Sequence, residues 1–339
     1  MNRKAYFRAS GRYIPDKVVT NDDLAKLMTT SDEWIQRRSG IKERHYADEG
    51  DRCSDIGKKA VDNLMSKNKI DVEEIDAIIF ATLSPDIHFP GTGVIMQQKL
   101  GWADRHIPCY DIRQQCSGFI YGLQMAQSFV ESGMFENILL VGSELHSNAL
   151  EFNDRGRAVT VLFGDGSASV VVSKADNTDS EILITETHSD GEGCFNGVHM
   201  NLFDIGKMPL LYYDYSDIEA NVDMYPQMPN PKNLFTNAVR RMVEVSLSAL
   251  EKTGFSVNDV DWVLPHQANI RINRMAAEYL EIPEDKVLYN IDRYGNTTAA
   301  TIPLLLDEFS ENGTIKRGDL MLMVAFGSGF TWGASVVRY

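Results

Sequence analysis

At 339 residues, 43% of them hydrophobic, the chain can bury an ample core in one large or two medium domains and needs no crosslinks to hold it. Lys and Arg number 33 against 48 Asp and Glu, and the formal charge of -15 repels nucleic acid and anionic membrane at long range, so neither is an expected partner. Cys53, Cys109, Cys116 and Cys194 form no CxxC pair and no metal-like spacing with histidine, and no run approaches the roughly 18 apolar residues of a membrane span; a cytoplasmic protein without metal or cofactor is expected.

After the opening MNRKAYFRASGRYIP, the chain reads as a helix, a short linker and a strand over 54–82 (SDIGKKAVDNLMSKNKI, DVEE, IDAIIFAT). The run DIRQQCSGFIYGLQMAQSFVESG then brings a strand-like segment to Cys116, where an amphipathic helix begins. Unpaired N–H groups at a helix start carry roughly half a positive charge, which favours thiolate and offers donors to an oxyanion, so Cys116 is a candidate nucleophile rather than a packed core thiol. ENILLVGSE at 136–144 and GSASVVVS at 166–173 are short, β-branched and buried in character, as in a sheet covered on both faces. The polar run KADNTDSE at 174–181 marks a boundary, giving an N-terminal half over 1–174 with the cysteine and a C-terminal half over 175–339. Residues 190–233, with several glycines and prolines and the aromatic run LLYYDY at 210–215, are expected to form a cap over a pocket or a contact with a partner subunit. The helix–linker–strand unit recurs at 239–267, and DLMLMVAFG at 319–327 resembles ENILLVGSE, so the chain reads as an internal duplication of a βα-rich half.

A thiolate that takes up and releases an acyl group is regularly accompanied by a histidine and an amide donor. His266 follows the strand VDWVL and a proline, at the C-terminal edge where α/β sheets place their sites. Asn296 sits in the turn-like run YGNTTAA, and Gly327-Ser328-Gly329 ends another buried strand where glycine lets backbone N–H groups face a ligand. Singly these residues read as a satisfied core histidine, a turn residue and a flexible loop. Together with TSDEWIQRRSGIKERHYA, CSGF, FGDGSAS, PHQANIRI, DRYGNTTAATIP and FGSGFTWG, in that order along nearly the whole chain, they make it resemble the β-ketoacyl-acyl carrier protein synthase III enzymes of the thiolase fold.

That resemblance implies an α/β, five-layered αβαβα fold of two similar halves, a homodimer, and decarboxylative condensation of an acyl-CoA primer with malonyl-acyl carrier protein at the start of fatty acid synthesis. It implies that Cys116 is the acyl acceptor, that His266 and Asn296 steady the enolate, and that the backbone N–H groups of Cys116 and Ser328 form the oxyanion hole. Phe89 matches a residue that crosses the dimer interface to wall the partner's acyl pocket. Trp34, Arg38, Arg155 and Asn269 match the coenzyme A tunnel, with Arg157 competing with Arg155 because the run between Arg155 and Phe163 is longer than usual, and Arg271 matches the carrier-protein docking surface. Arg113, Gln114 and Gln115 replace small residues before the nucleophile and favour a specialised condensing enzyme of secondary metabolism as the alternative; the segment 190–233, longer than in typical members, points to a primer other than acetyl; and Thr236 and Glu278 replace common lysines, which thins the carrier-docking surface. A papain-like hydrolase fails on the glycine-rich runs, and a catalytically silent acyl-binding subunit fails because Cys116, His266 and Asn296 are all present.

Overall fold

The structure, a computed structural model, describes residues 3–175, 179–194 and 230–339. Most of the expected cap at 190–233, including the aromatic run at 210–215, lies outside the described residues. The first half contains β1 (Ala5–Tyr13), β2 (Lys17–Thr20), α1 (Asn21–Ala25), α2 (Asp32–Ser39), β3 (Glu43–Tyr46), α3 (Cys53–Asn68), β4 (Ala77–Ala81), α4 (Thr92–Lys99), β5 (Cys109–Ile112), α5 (Gly118–Ser132), β6 (Asn137–Glu144), α6 (Arg157–Thr160) and β7 (Gly166–Lys174). The second contains β8 (Glu181–Ser189), α7 (Pro231–Thr253), β9 (Trp262–Pro265), α8 (Ile270–Tyr279), α9 (Ile291–Tyr294), α10 (Thr301–Glu311), β10 (Leu320–Gly327) and β11 (Thr331–Arg338).

The helices begin and end where local chemistry dictates. The Asn230 side chain accepts the Asn233 N–H and Pro231 occupies the first turn of α7, while Gly254, at φ +75°, closes it. Gly133, at φ +80°, ends α5 in the same way. The strands are apolar on both faces: every residue of β10 is buried, and all but the first residue of β6. Such strands are stable only inside a sheet with helices on each side.

The first sheet runs β1-β7-β6-β4-β5 and the second β8-β11-β10-β9. In each, an antiparallel outer strand and hairpin partner (β1–β7–β6, β8–β11–β10) are followed by a parallel pair (β6–β4, β10–β9), so the halves share order and direction and differ by the edge strand β5. Helices α3 and α4 cover the outer face of the first sheet, and α7 and α8 that of the second. Between the sheets lie α5 and α10, which touch strands of both, with Phe119, Leu123, Ala126 and Val130 of α5 in one core with Leu305, Met321 and Met323. This is the five-layered αβαβα arrangement. The buried carboxylate of Asp307 on α10 accepts from Ser10 Oγ (2.8 Å) and pairs with Lys67 (2.7 Å) and Arg12, clasping the second half to β1 and α3.

Candidate active site

Cys116 lies in a 3-10 turn, Gln115–Ser117, that leads directly into α5, so its backbone sits at the N-terminal end of the helix layer shared by the two sheets. The end of β10 packs against it. A Cβ on Gly327 would lie 3.2 Å from the Cys116 Cβ and N and from the Ser117 N, closer than an ordinary van der Waals contact, so glycine eases the close approach of the 327–329 loop to the Cys116 backbone. Ser117 Oγ and Thr331 Oγ1, 2.7 Å apart, tie the turn to β11 on the other side of that loop.

His266 leaves the end of β9 directly after Pro265, and its own N–H donates to Val324 O (2.8 Å) on β10. The imidazole is buried, Nδ1 lies 2.8 Å from Thr301 Oγ1, and Nε2 has no partner among the described residues. Burial alone lowers its pKa to about 3, so the ring is neutral near pH 7. Asn296 is held by an isolated bridge to the 162–164 segment, where its N–H donates to Leu162 O (2.8 Å) and its carbonyl accepts from Gly164 N (3.1 Å). Its side-chain oxygen accepts the Thr298 N–H (2.9 Å), which assigns the amide orientation and leaves the Nδ2 donors for the site. Arg44, wholly buried, donates to Val161 O (2.9 Å) and to Val19 O (3.2 Å), bracing the segment on which Asn296 rests.

A cavity of about 1410 Å³ is lined by Cys116, His266, Asn296 and the Gly327-Ser328-Gly329 loop. Its more exposed walls carry Trp34, Arg37, Arg38, Lys232, Asn269 and Arg271, a basic surface on a chain of net charge -15. The Arg38 guanidinium stacks 4.4 Å over the Trp34 ring, and Arg157 lies 5.4 Å from the same ring. Asn269 caps α8 and donates to Arg38 O (2.9 Å), and Arg271 lies over Phe235 at 5.5 Å. Elsewhere on this surface, Arg241 and Arg274 pair with Asp190 and Glu284, and Arg240 reaches Glu244 at 4.0 Å.

The structure bears on three of the expected residues. Neither Arg155 nor Arg157 is among the residues lining the cavity: Glu151, four residues before Arg155, pairs with its guanidinium at 2.5 Å, and Arg157 is the arginine of this loop that lies over Trp34. Phe89, expected to wall the cavity of a partner subunit, does not line that of its own chain and stands 70% exposed. The helix-start position does not leave Cys116 a ready thiolate. Burial, then the buried Glu144 carboxylate, pushes the thiol up to about 12 against the opposing contributions of its own N–H and the Asn296 side chain. Sequence reasoning missed Thr301, Glu144 and His146. Glu144 accepts from Leu83 N and Ser84 Oγ and stands close under the 298–300 turn, and His146 donates to Gly164 O (2.9 Å) in the same cavity wall.

Five αβαβα layers built from two similar halves, with a cysteine at the head of a central helix and a histidine and an asparagine in the same cavity, define the class of thiolase-fold condensing enzymes. Residues 110–191 match the family 3-oxoacyl-[acyl-carrier-protein] synthase III, and residues 250–339 match the C-terminal part of the same family. The chain is 41% identical over 343 residues to a beta-ketoacyl-[acyl-carrier-protein] synthase III of Clostridioides difficile, covering 100% of this chain and 99% of the relative. It is 40% identical over 331 residues to that of Caldanaerobacter subterraneus, covering 97% and 96%. The crystal structure of 3-oxoacyl-[acyl-carrier-protein] synthase III from Aquifex aeolicus superposes with a TM-score of 0.88 at 40% identity, covering 99% of this chain and 100% of that one. The chain belongs to the 3-oxoacyl-[acyl-carrier-protein] synthase III family.

Proposed function

We propose that this protein condenses an acyl-CoA primer with malonyl-acyl carrier protein to give a 3-oxoacyl-acyl carrier protein, through an acyl group carried on Cys116, in the initiation of fatty acid synthesis. The observation that carries this reading is the single cavity lined by Cys116, His266, Asn296 and the Gly327–Gly329 loop. The Cys116 sulfur attacks the primer thioester. The N–H groups of Cys116 and Ser328 hold the oxyanion, each donor of this kind contributing about 3 kcal/mol. Coenzyme A leaves as the thiol, and malonyl on its carrier enters. Loss of carbon dioxide leaves an enolate whose oxygen accepts from His266 and Asn296, and its carbon displaces the acyl group from sulfur. Trp34 offers a face to the adenine of coenzyme A, Arg38 and Arg157 suit its phosphates, and Arg271 suits an acidic carrier protein.

We also read the chain as a homodimer, in a cytoplasmic setting, with halves dividing near residue 174. The exposure of Phe89 together with Ile87 at 51% and Val94 at 46%, beside the unpaired edge strand β5, supports a second copy seated there. Among the described residues no helix is long and apolar enough to cross a membrane. A second reading, a condensing enzyme of secondary metabolism with a larger or functionalised primer, is favoured by Arg113 and Gln115 lining the cavity beside Cys116. Incubation with acyl-CoAs of graded chain length and malonyl-acyl carrier protein tests both. Linear 3-oxoacyl product and free coenzyme A, absent in Cys116→Ser, support the first reading, strong preference for acetyl-CoA removes the second, and no condensation with any primer overturns both.

A further inference from the structure

Thr301 opens α10, is 1% exposed, and has one hydroxyl proton with two neighbours: Thr298 O at 2.9 Å and His266 Nδ1 at 2.8 Å. A carbonyl oxygen only accepts, so a hydroxyl that donates to Thr298 O has lone pairs left for Nδ1, and the ring must then donate. The chain of bonds acquires one direction, Nδ1–H to Oγ1, then Oγ1–H to the Thr298 carbonyl, with every buried group along it satisfied. The reverse direction leaves only one of the two bonds made. A neutral imidazole has a single N–H, so the partner of one nitrogen decides what the other can do. Nε2, buried and without a partner among the described residues, belongs to the residue that shares the cavity with Cys116.

We propose that Thr301 is a positioning residue that fixes the His266 proton on Nδ1, so that Nε2 faces the cavity as the proton acceptor for the Cys116 thiol. This rests on the condensing reading above and deepens it. In loading, the Sγ–H proton passes to Nε2 as sulfur bonds to the primer carbonyl carbon; the carbon–sulfur bond to coenzyme A breaks and the proton leaves on its thiol. Condensation consumes one further proton from solvent. The malonyl carboxylate, brought in by the substrate, is the counter-charge that lets Nε2 hold that proton inside a buried site. Nε2–H then donates to the enolate oxygen formed as carbon dioxide departs. The new carbon–carbon bond forms, the Cys116 carbon–sulfur bond breaks, and sulfur takes the proton. Nδ1–H stays on Thr301 throughout, and no tautomer exchange is needed between the half-reactions. The raised pKa of Cys116 explains why such an acceptor is required.

The test is a pair of variants, Thr301→Val, which keeps the β-branched shape and removes the hydroxyl, and Thr301→Ser, which keeps the hydroxyl. Imidazole nitrogen resonances of histidine-labelled protein, with His266 assigned by His266→Asn, report the tautomer directly. The expected result is a protonated Nδ1 and an unprotonated Nε2 in the wild type and in Thr301→Ser, lost in Thr301→Val. Acyl loading of Cys116 should fall about 100-fold in Thr301→Val, comparable to the loss of one oxyanion donor, and recover to within a few-fold in Thr301→Ser. A wild-type ring protonated on Nε2 overturns the proposal, as does wild-type loading by a Thr301→Val protein of unchanged melting temperature. Should Thr301→Val fail to fold, the wild-type resonances and the Thr301→Ser loading rate decide. Failure of the condensing reading itself shows differently, as absence of acylation in the wild type or acylation that survives Cys116→Ser.

Discussion

At Cys116 two elementary effects oppose each other. The start of α5 and the Asn296 amide favour the thiolate, while removal of the sulfur from water and the nearby Glu144 carboxylate disfavour it, and the latter win, with a thiol pushed up to about 12. A group whose pKa lies well above the solution pH gains thiolate tenfold for each pH unit. Alkylation of Cys116 by iodoacetamide, measured by mass spectrometry, is therefore expected to accelerate about tenfold per unit from about pH 6 to about pH 9. A plateau reached below about pH 8 would show that the helix start outweighs burial. Asn296 illustrates the complementary case, in which a backbone N–H two residues on takes the side-chain oxygen and thereby aims the amide nitrogen.

The elements place these side chains by contacts that only small residues permit. Gly327 at the end of β10 brings the 327–329 loop against the Cys116 turn, and Gly142 on β6 admits the 298–300 turn, since a Cβ there would lie 2.4 Å from Ala299 O. Gly327→Ala meets two backbone nitrogens at 3.2 Å, atoms that cannot swing aside as a side chain would. Its expected cost is about 1–3 kcal/mol in stability, read by thermal or urea unfolding, with a loss of acyl loading larger than the stability change explains. Wild-type loading in Gly327→Ala would show that the loop does not supply the donor. Much of this was legible in the sequence. The helix–strand units at 54–82 and 239–267, and the motifs at the ends of buried strands, follow from periodicity and from where glycine and proline interrupt it. Thr301 was not legible as the partner of His266, because 35 residues separate them and only the packing of α10 under β9 joins them. Nor were the different partners of Arg155 and Arg157, the first paired with Glu151 and the second over the Trp34 ring. The balance at Cys116 escaped for a related reason: a helix start is visible in sequence, whereas desolvation is a property of the assembled core.

For the whole molecule, two sheets of the same strand order enclose a shared helical layer, and the cavity forms where strand ends of the two halves meet, the Cys116 turn from one and His266, Asn296 and the 327–329 loop from the other. Neither half alone assembles the site, because each contributes only part of its lining. The edge strand β5, present in the first sheet only, together with exposed Phe89, is where a second copy is expected. Phe89→Asp places a charge in that contact, and sedimentation is expected to show a two-chain species for the wild type and a shift toward one chain for the variant. A wild type that sediments as a single chain would contradict the dimer. The account as a whole turns on sulfur carrying the acyl group, and intact-protein mass spectrometry after exposure to a mixed acyl-CoA pool, then to malonyl-acyl carrier protein, tests it most directly. One acyl adduct per chain, absent in Cys116→Ser and discharged when the malonyl carrier is added, is the predicted result; no adduct, or an adduct that persists in Cys116→Ser, would contradict it.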